Sequence, residues 1–133
     1  MPSFLLDTNI LSDLMRHPDG RAAQGIARVG DRQVCTSIIV VAEVRFGVAK
    51  SRSRRLAAQL AAILAGIEVF PFEAPADVRY GALRAELERT GGPIGANDML
   101  IAAQALSLGL TLVTANEREF ARVSGLNIEN WLR

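Results

Sequence analysis

The chain contains one cysteine, one histidine and one lysine, and each scarcity removes a class of function. Cys35 alone can close no internal disulfide; it suits a reducing compartment and reads as a small buried hydrophobe. With one cysteine and one histidine, a structural zinc site of four such ligands cannot be assembled. His17 lies in the turn Arg16-His17-Pro18-Asp19-Gly20 and reads as a solvated loop residue, which leaves no histidine base. No apolar run approaches the roughly 18 residues of a membrane span, the longest being about Leu60 to Ile67. The amino terminus has neither the basic region nor the apolar stretch of a signal peptide, so a cytoplasmic protein is expected. Neither a G-x-G-x-x-G after the first strand nor a G-x4-G-K-[ST] is present, which disfavours dinucleotide and P-loop nucleotide sites. The glycine-rich stretch Gly91-Gly92-Pro93-Ile94-Gly95 does not follow a strand in the manner of those motifs. It reads as a loop that aims Asp98.

What remains is the composition of one globular domain, residues 1–133, half of them hydrophobic and 22% charged. Net charge is only +1, but residues 1–66 hold nine Lys or Arg against five acids, and residues 67–133 hold six against nine. Between Val44 and Ile67 there is no acid, while Arg45, Lys50, Arg52, Arg54 and Arg55 supply five positive charges. That segment is either a grip for a phosphate backbone or a solvated helix connection.

Three acids occupy positions where an acid is costly. Asp7 ends Phe4-Leu5-Leu6, Glu43 follows Ile38-Ile39-Val40-Val41-Ala42, and Asp98 leads into Met99-Leu100-Ile101-Ala102-Ala103. A carboxylate taken out of water costs several kcal/mol unless it is paired or holds a cation, and no Lys or Arg lies within two positions of Asp7 or Asp98. Singly, Asp7 reads equally well as a strand-end cap and Asp98 as a helix-start residue favoured by the dipole. Glu43, past the first turn of an apolar helix, is harder to read as structural alone, though that reading stays open. If the three converge, a hard divalent cation is the natural counter-charge.

Short apolar strands alternate with helical patterns. Phe4–Leu6 reads as a strand, and Asp7-Thr8-Asn9 can cap a helix through Leu11, Leu14 and Met15 that stops before Pro18. A second helix is expected over Asp19–Val29, and a strand over Val34–Thr36, with Ser37 capping a helix to about Ala49. Another helix is expected from about Arg54 to Ala65, then a strand over Ile67–Phe70. Pro71 and Pro75 punctuate the approach to a helix over about Ala76–Arg89. Asn97–Leu108 reads as helical, Leu110–Val113 as a strand, and Leu126–Ile128 as an edge strand. This order predicts a three-layer α/β/α sandwich around a mainly parallel sheet of four to five strands. Asp7 and Asn116 would then lie past the carboxyl ends of strands, where open α/β sheets place their ligand crevice.

The motifs LLDTN at residues 5–9, S-x5-E from Ser37 to Glu43, ANDMLIAA at residues 96–103 and LVTAN at residues 112–116 occur in this order. Together with the ending EFARVSGLNIENW, they resemble the PIN-domain ribonucleases, in particular the VapC-type toxins of bacterial toxin-antitoxin pairs. The resemblance covers nearly the full length. It implies a metal-dependent endoribonuclease that cleaves structured RNA such as tRNA, with the acidic constellation on Asp7, Glu43 and Asp98 and with Mg2+ or Mn2+ as the cofactor. Asn9 and Thr114 match positions that hold the carboxylates. Asn116 stands where many PIN domains have a fourth Asp, and Glu119 could supply the missing charge if a helical turn follows.

The resemblance also implies partners: a VapB-type antitoxin, which would carry DNA binding, and a second copy of the chain. The apolar helices around Ile38–Val48 and Leu56–Ile67 suggest exposed surface for them. Two rival functions fit less well. A phospho-acceptor receiver domain needs paired acids after the first strand and a Lys after the last, whereas Lys50 is misplaced for that role. A nuclease-like fold kept only as a binding module would leave the acids structural.

Overall fold

The computed structural model describes residues 1–133. Five strands, β1 (Phe4–Leu6), β2 (Val34–Ser37), β3 (Glu68–Phe70), β4 (Thr111–Val113) and β5 (Ile128–Glu129), form one sheet in the order β3-β2-β1-β4-β5. All four pairings are parallel. The central strand β1 sets Leu5 against Cys35 on one side and Leu112 on the other. All three are fully buried, as a sheet covered on both faces requires.

Seven helices surround the sheet: α1 (Thr8–Arg16), α2 (Arg21–Val29), α3 (Ile38–Ser51), α4 (Arg54–Gly66), α5 (Ala76–Arg89), α6 (Ala96–Leu108) and α7 (Glu117–Phe120). The chain winds outward from β1 to β3, then returns across the sheet to β4 and β5. With right-handed crossovers this reversal puts α1–α4 on one face and α5 and α6 on the other. In keeping with that, α1 packs on α2, α3 and α4, and α5 packs along α6. The result is a three-layer sandwich, and the reversal of winding opens a crevice between the carboxyl ends of β1 and β4.

Local chemistry accounts for the element ends. Ser37 accepts a hydrogen bond from the Ile39 amide and Ser53 one from the Leu56 amide, so both cap their helices. Gly109, at φ +69°, closes α6 in the left-handed region. Arg52 closes α3 in the same region, at φ 56°, with no glycine to relieve it. The second helix starts at Arg21 rather than Asp19, because Gly20 is its cap residue. A 3-10 turn over Asp31–Gln33, unanticipated from the sequence, leads into β2. The edge strand falls at Ile128–Glu129 rather than Leu126–Ile128, since its register is set by pairing with Leu112 and Val113.

Leu6, Ile10, Leu11, Ile101, Leu112, Val113 and Phe120 are fully buried and make up the centre of the core. Near the carboxyl terminus Trp131 lies so close over Gly25 that a Cβ there would enter its ring. Phe4 and Arg28 also contact that ring, with centroid separations of 5.4 and 5.6 Å. Every buried side-chain nitrogen and oxygen has a hydrogen-bond partner. The apolar residues of α4 turn largely inward: Leu60 is buried, and Leu56, Ile63 and Leu64 pack on the core. The large hydrophobics left exposed are Met1, Ile38, Phe46 and Val78. No helix is long and apolar enough to cross a membrane.

Candidate metal centre and nuclease site

Asp7 directly follows β1, and its carboxylate points into the crevice beside β4. Although Asp7 is the cap residue of α1, its side chain makes no capping bond. Instead Oδ2 accepts from Thr114 Oγ1 at 2.7 Å and from Asn9 Nδ2 at 3.4 Å. Asn9 Oδ1 in turn accepts from the Ala115 amide at 2.9 Å, and Thr114 Oγ1 from the Asn116 amide at 2.9 Å. These bonds tie the end of β1 to the loop after β4. Burial raises the Asp7 carboxyl above the ordinary aspartate value, and the nearby Glu43 charge adds to the effect, against the lowering influence of the Thr114, Thr8 and Asn9 hydrogen bonds.

Glu43, half-buried on α3, is held by the neighbours of the other two acids. Thr8, the residue after Asp7, donates to Oε1 at 2.8 Å, and Asn97, the residue before Asp98, donates to Oε2 at 3.2 Å. Neither Thr8 nor Asn97 stands out in the sequence as more than a motif letter. Their adjacency to the two aspartates is the only signal the sequence offers.

Asp98 lies in the first turn of α6. Its carboxyl is pushed up to about 7, first by burial, then by hydrogen bonding with Glu119, then by the charges of Asp7, Glu119 and Glu43. The helical turn after Asn116 does form, as α7, and it brings the Glu119 carboxyl to Asp98. Asn116 Nδ2 donates to Glu119 Oε2 at 3.0 Å. One cleft thus holds four carboxyl groups, and none of them is ion-paired, because the two salt bridges of the chain are Arg84–Glu88 and Arg133–Glu117.

The donor set suits a hard divalent cation: oxygen ligands alone, a surplus of negative charge, and no competing Lys or Arg. No three of the acids stand as a ready-made cation cage. Glu43 is held toward Thr8 and Asn97, as mutual repulsion favours. A cation that keeps several waters and takes one or two carboxylates directly needs no tighter cage. An open groove of about 510 Å3, lined by Thr8, Ile39, Ala42, Glu43, Phe46 and Asn97, leads to the site.

The basic residues lie outside the acidic cluster. Arg45 is two residues past Glu43, about 200° around the helix, so it does not face the acids. Lys50 and Arg52 are at the carboxyl end of α3, and Arg54 and Arg55 open α4. All five are exposed and unpaired. Arginines in the first turn of a helix oppose its dipole, and α4 has no acid there to offset them.

Residues 4–126 match the model of the PIN domain family. The chain is 38% identical over 130 residues to Ribonuclease VapC2 of Rickettsia felis, covering 96% of this chain and 97% of that one. It is 36% identical over 132 residues to the tRNA(fMet)-specific endonuclease VapC of Shigella flexneri, covering 98% and 99%. Among solved structures, it superposes on a chain of the Rickettsia felis VapBC2 complex bound to a promoter DNA fragment with a TM-score of 0.89. That match has 37% identity and covers 96% of this chain and 98% of the other. DNA-bound VapBC from Salmonella typhimurium gives a TM-score of 0.85 at 34% identity, with coverage of 98% and 99%. The chain belongs to the PIN domain family, and within it to the VapC ribonucleases.

Proposed function

We propose that the protein is a divalent-metal-dependent endoribonuclease, using Mg2+ or Mn2+, and the toxin of a toxin-antitoxin pair. The observation that carries the metal dependence is the unpaired cluster of Asp7, Glu43, Asp98 and Glu119, in which burial and the neighbouring acids push the Asp98 carboxyl up to about 7. Asp7 and Asp98 would hold the cation. When bound, such a cation lowers the pKa of a coordinated water and draws charge from the scissile phosphate.

The remaining work falls to the chain's own groups. Glu43 keeps free lone pairs on both oxygens beyond the bonds from Thr8 and Asn97, so it can orient the attacking water and take its proton. Thr114 and Asn9 keep the Asp7 carboxylate aimed, and Asn116 keeps Glu119 turned toward Asp98. In this reading the exposed Arg45, Lys50, Arg52, Arg54 and Arg55 hold RNA phosphates remote from the cut, the positive end of α4 adding to Arg54 and Arg55.

The name of the Shigella flexneri relative supports a structured RNA substrate such as tRNA, with initiator tRNA the first to try. Cutting it in the cytoplasm would stop translation. The solved VapBC relatives, both DNA-bound complexes, support a VapB-type antitoxin as the neutralising partner; in this reading DNA is contacted only through that antitoxin, and the toxin pairs with a second copy of itself. The exposed Ile38, Phe46 and Val78 are apolar surface available to these partners.

The test is cleavage of tRNA by the purified chain with Mn2+ or Mg2+, with EDTA, and with Asp7→Asn. Metal-dependent cleavage lost in the variant is expected. RNA binding without cleavage in any metal would leave a binding module with structural acids.

A further inference from the structure

Gln104 is a polar side chain buried to 1% exposure in the middle of the apolar helix α6, and the proposed chemistry makes no use of it. Its amide oxygen accepts from Ser37 Oγ. Its amide nitrogen donates to the backbone oxygens of Phe70 at 3.1 Å and Pro71 at 3.0 Å, at the end of β3. These two carbonyls fix which way the amide faces, because a flip would set its oxygen against both of them. Ser37 is equally committed, as the cap of α3 through its bond from the Ile39 amide.

The positions of these two residues give the network its meaning. Ser37, the last residue of β2 and the cap of α3, precedes Glu43 by six residues, and Gln104 follows Asp98 by six on α6. Ser37 meets Gln104 and Glu43 meets Asn97, so the two helices run in opposite directions and are joined by two polar rungs. At about 1.5 Å per residue the rungs stand roughly 9 to 10 Å apart. The outer rung is Glu43 with Asn97, exposed and at the metal centre. The inner rung is Ser37 with Gln104, fully buried and anchored to β3.

We propose that Gln104 is a positioning residue: its buried bond to Ser37 locks α3 against α6 and so sets the separation of Glu43 from Asp98. This rests on the metal-dependent reading of the site. The outer rung cannot set that separation alone. It is a single neutral-to-charged bond open to water, and it breaks whenever Glu43 turns to a ligand. The inner rung lies in a low-dielectric core, where leaving a polar group unpaired is costly, so it resists sliding of one helix along the other.

The test compares Ser37→Ala, which cuts the rung together with the cap bond from Ile39, with Gln104→Met, which keeps the volume and that cap but removes all three bonds of the amide, and with the double variant. Leu110→Ala, before β4 at the far end of the sheet from the acids, serves as a control that lowers stability elsewhere. Mn2+ affinity by calorimetry and thermal midpoint are read for each. Ser37→Ala and Gln104→Met are each expected to lose about tenfold in Mn2+ affinity. The double variant should lose no more than the worse single one, as for two ends of one interaction, and Leu110→Ala should keep its affinity despite a lower midpoint. Wild-type affinity in Ser37→Ala and Gln104→Met, or losses that add in the double variant, would overturn the proposal. If Gln104→Met fails to fold, Ser37→Gly decides, since glycine caps a helix nearly as well as serine and still cuts the rung. A wild-type chain that binds no Mn2+ would fault the metal reading, and the lock is then judged by a crystal structure of Ser37→Ala, in which an unmoved Glu43 overturns it.

Discussion

Thr8 donates a 2.8 Å hydrogen bond to Glu43 across 35 positions of sequence, so the residue beside one acid of the cleft holds another. Asn97, beside Asp98, holds the other oxygen of the same Glu43. Glu43 is therefore oriented from two elements other than its own, and neutral donors on Asp7, Glu43 and Glu119 restrain the cluster against its own repulsion.

Asp7→Asn separates catalysis from folding. The folded environment raises the Asp7 carboxyl, chiefly by burial, so the charged form is disfavoured in the fold and a neutral isostere relieves that. The Asn oxygen can still accept from Thr114 and Asn9. Asp7→Asn is expected to abolish RNA cleavage, by at least about a hundredfold, while the thermal midpoint without metal stays level or rises. A lower midpoint with cleavage intact would mean that Asp7 is a structural cap.

The Asp98 carboxyl at about 7 makes proton and cation competitors. Below that pH a cation must displace the proton, so apparent Mn2+ affinity is expected to rise about tenfold per pH unit up to neutrality and to level off above it. Without metal the sign is opposite. The folded state keeps a proton that the unfolded chain releases near 3.8, so stability falls as pH rises from about 4 to about 7 and is flat beyond. Calorimetry at pH 6, 7 and 8 checks the first limb, and denaturant midpoints from about pH 4 to about pH 8 with EDTA check the second.

Asn116 and Glu119 give opposite expectations. Glu119 meets Asp98 and accepts from Asn116, so Glu119→Gln removes a negative charge and is expected to weaken Mn2+ binding. Asn116→Asp adds one and is expected to strengthen it, with a lower midpoint in EDTA from an acid set against Glu119. Unchanged affinity in both variants would leave residues 116–119 outside the metal centre.

The three lone acids were legible because a carboxylate in an apolar run has few reasons to be there. Strand and helix order was legible for a similar reason, and the bounds of α5 at Ala76 and Arg89 follow from the prolines before it and the glycines after it. Thr8, Asn97 and Gln104 were not, since their partners lie 35, 54 and 67 positions away and no spacing rule encodes those bonds. The 3-10 turn at Asp31–Gln33 has no apolar period to announce it. Apolar surface on α4 was expected, but the sequence cannot tell a helix's inward face from a free one when Leu56, Leu60, Ile63 and Leu64 all reach the core. The free apolar surface lies on α3, as expected, at Ile38 and Phe46, and on α5, where none was expected, at Val78.

The paired arginines that open α4 are expected to act through phosphate charge alone. Replacing Arg54 and Arg55 with Gln should weaken RNA binding across unrelated sequences. The slope of log affinity against log salt should fall by about 1 for each phosphate no longer neutralised. An unchanged slope assigns them to ordinary surface.

Arg52 sets stability against binding at one residue. Its φ of 56° ends α3 in a region that costs an L-residue on the order of 1 kcal/mol and that glycine enters freely. The side chain is exposed and in no ion pair, so nothing in the fold offsets that strain. Arg52→Gly is therefore expected to raise the thermal midpoint by about 4 °C while lowering RNA affinity if the charge is kept for phosphate. A rise in midpoint with unchanged RNA affinity removes Arg52 from the RNA surface. A fall in midpoint would mean that the arginine stem packs on α3 or α4 more favourably than its exposure indicates.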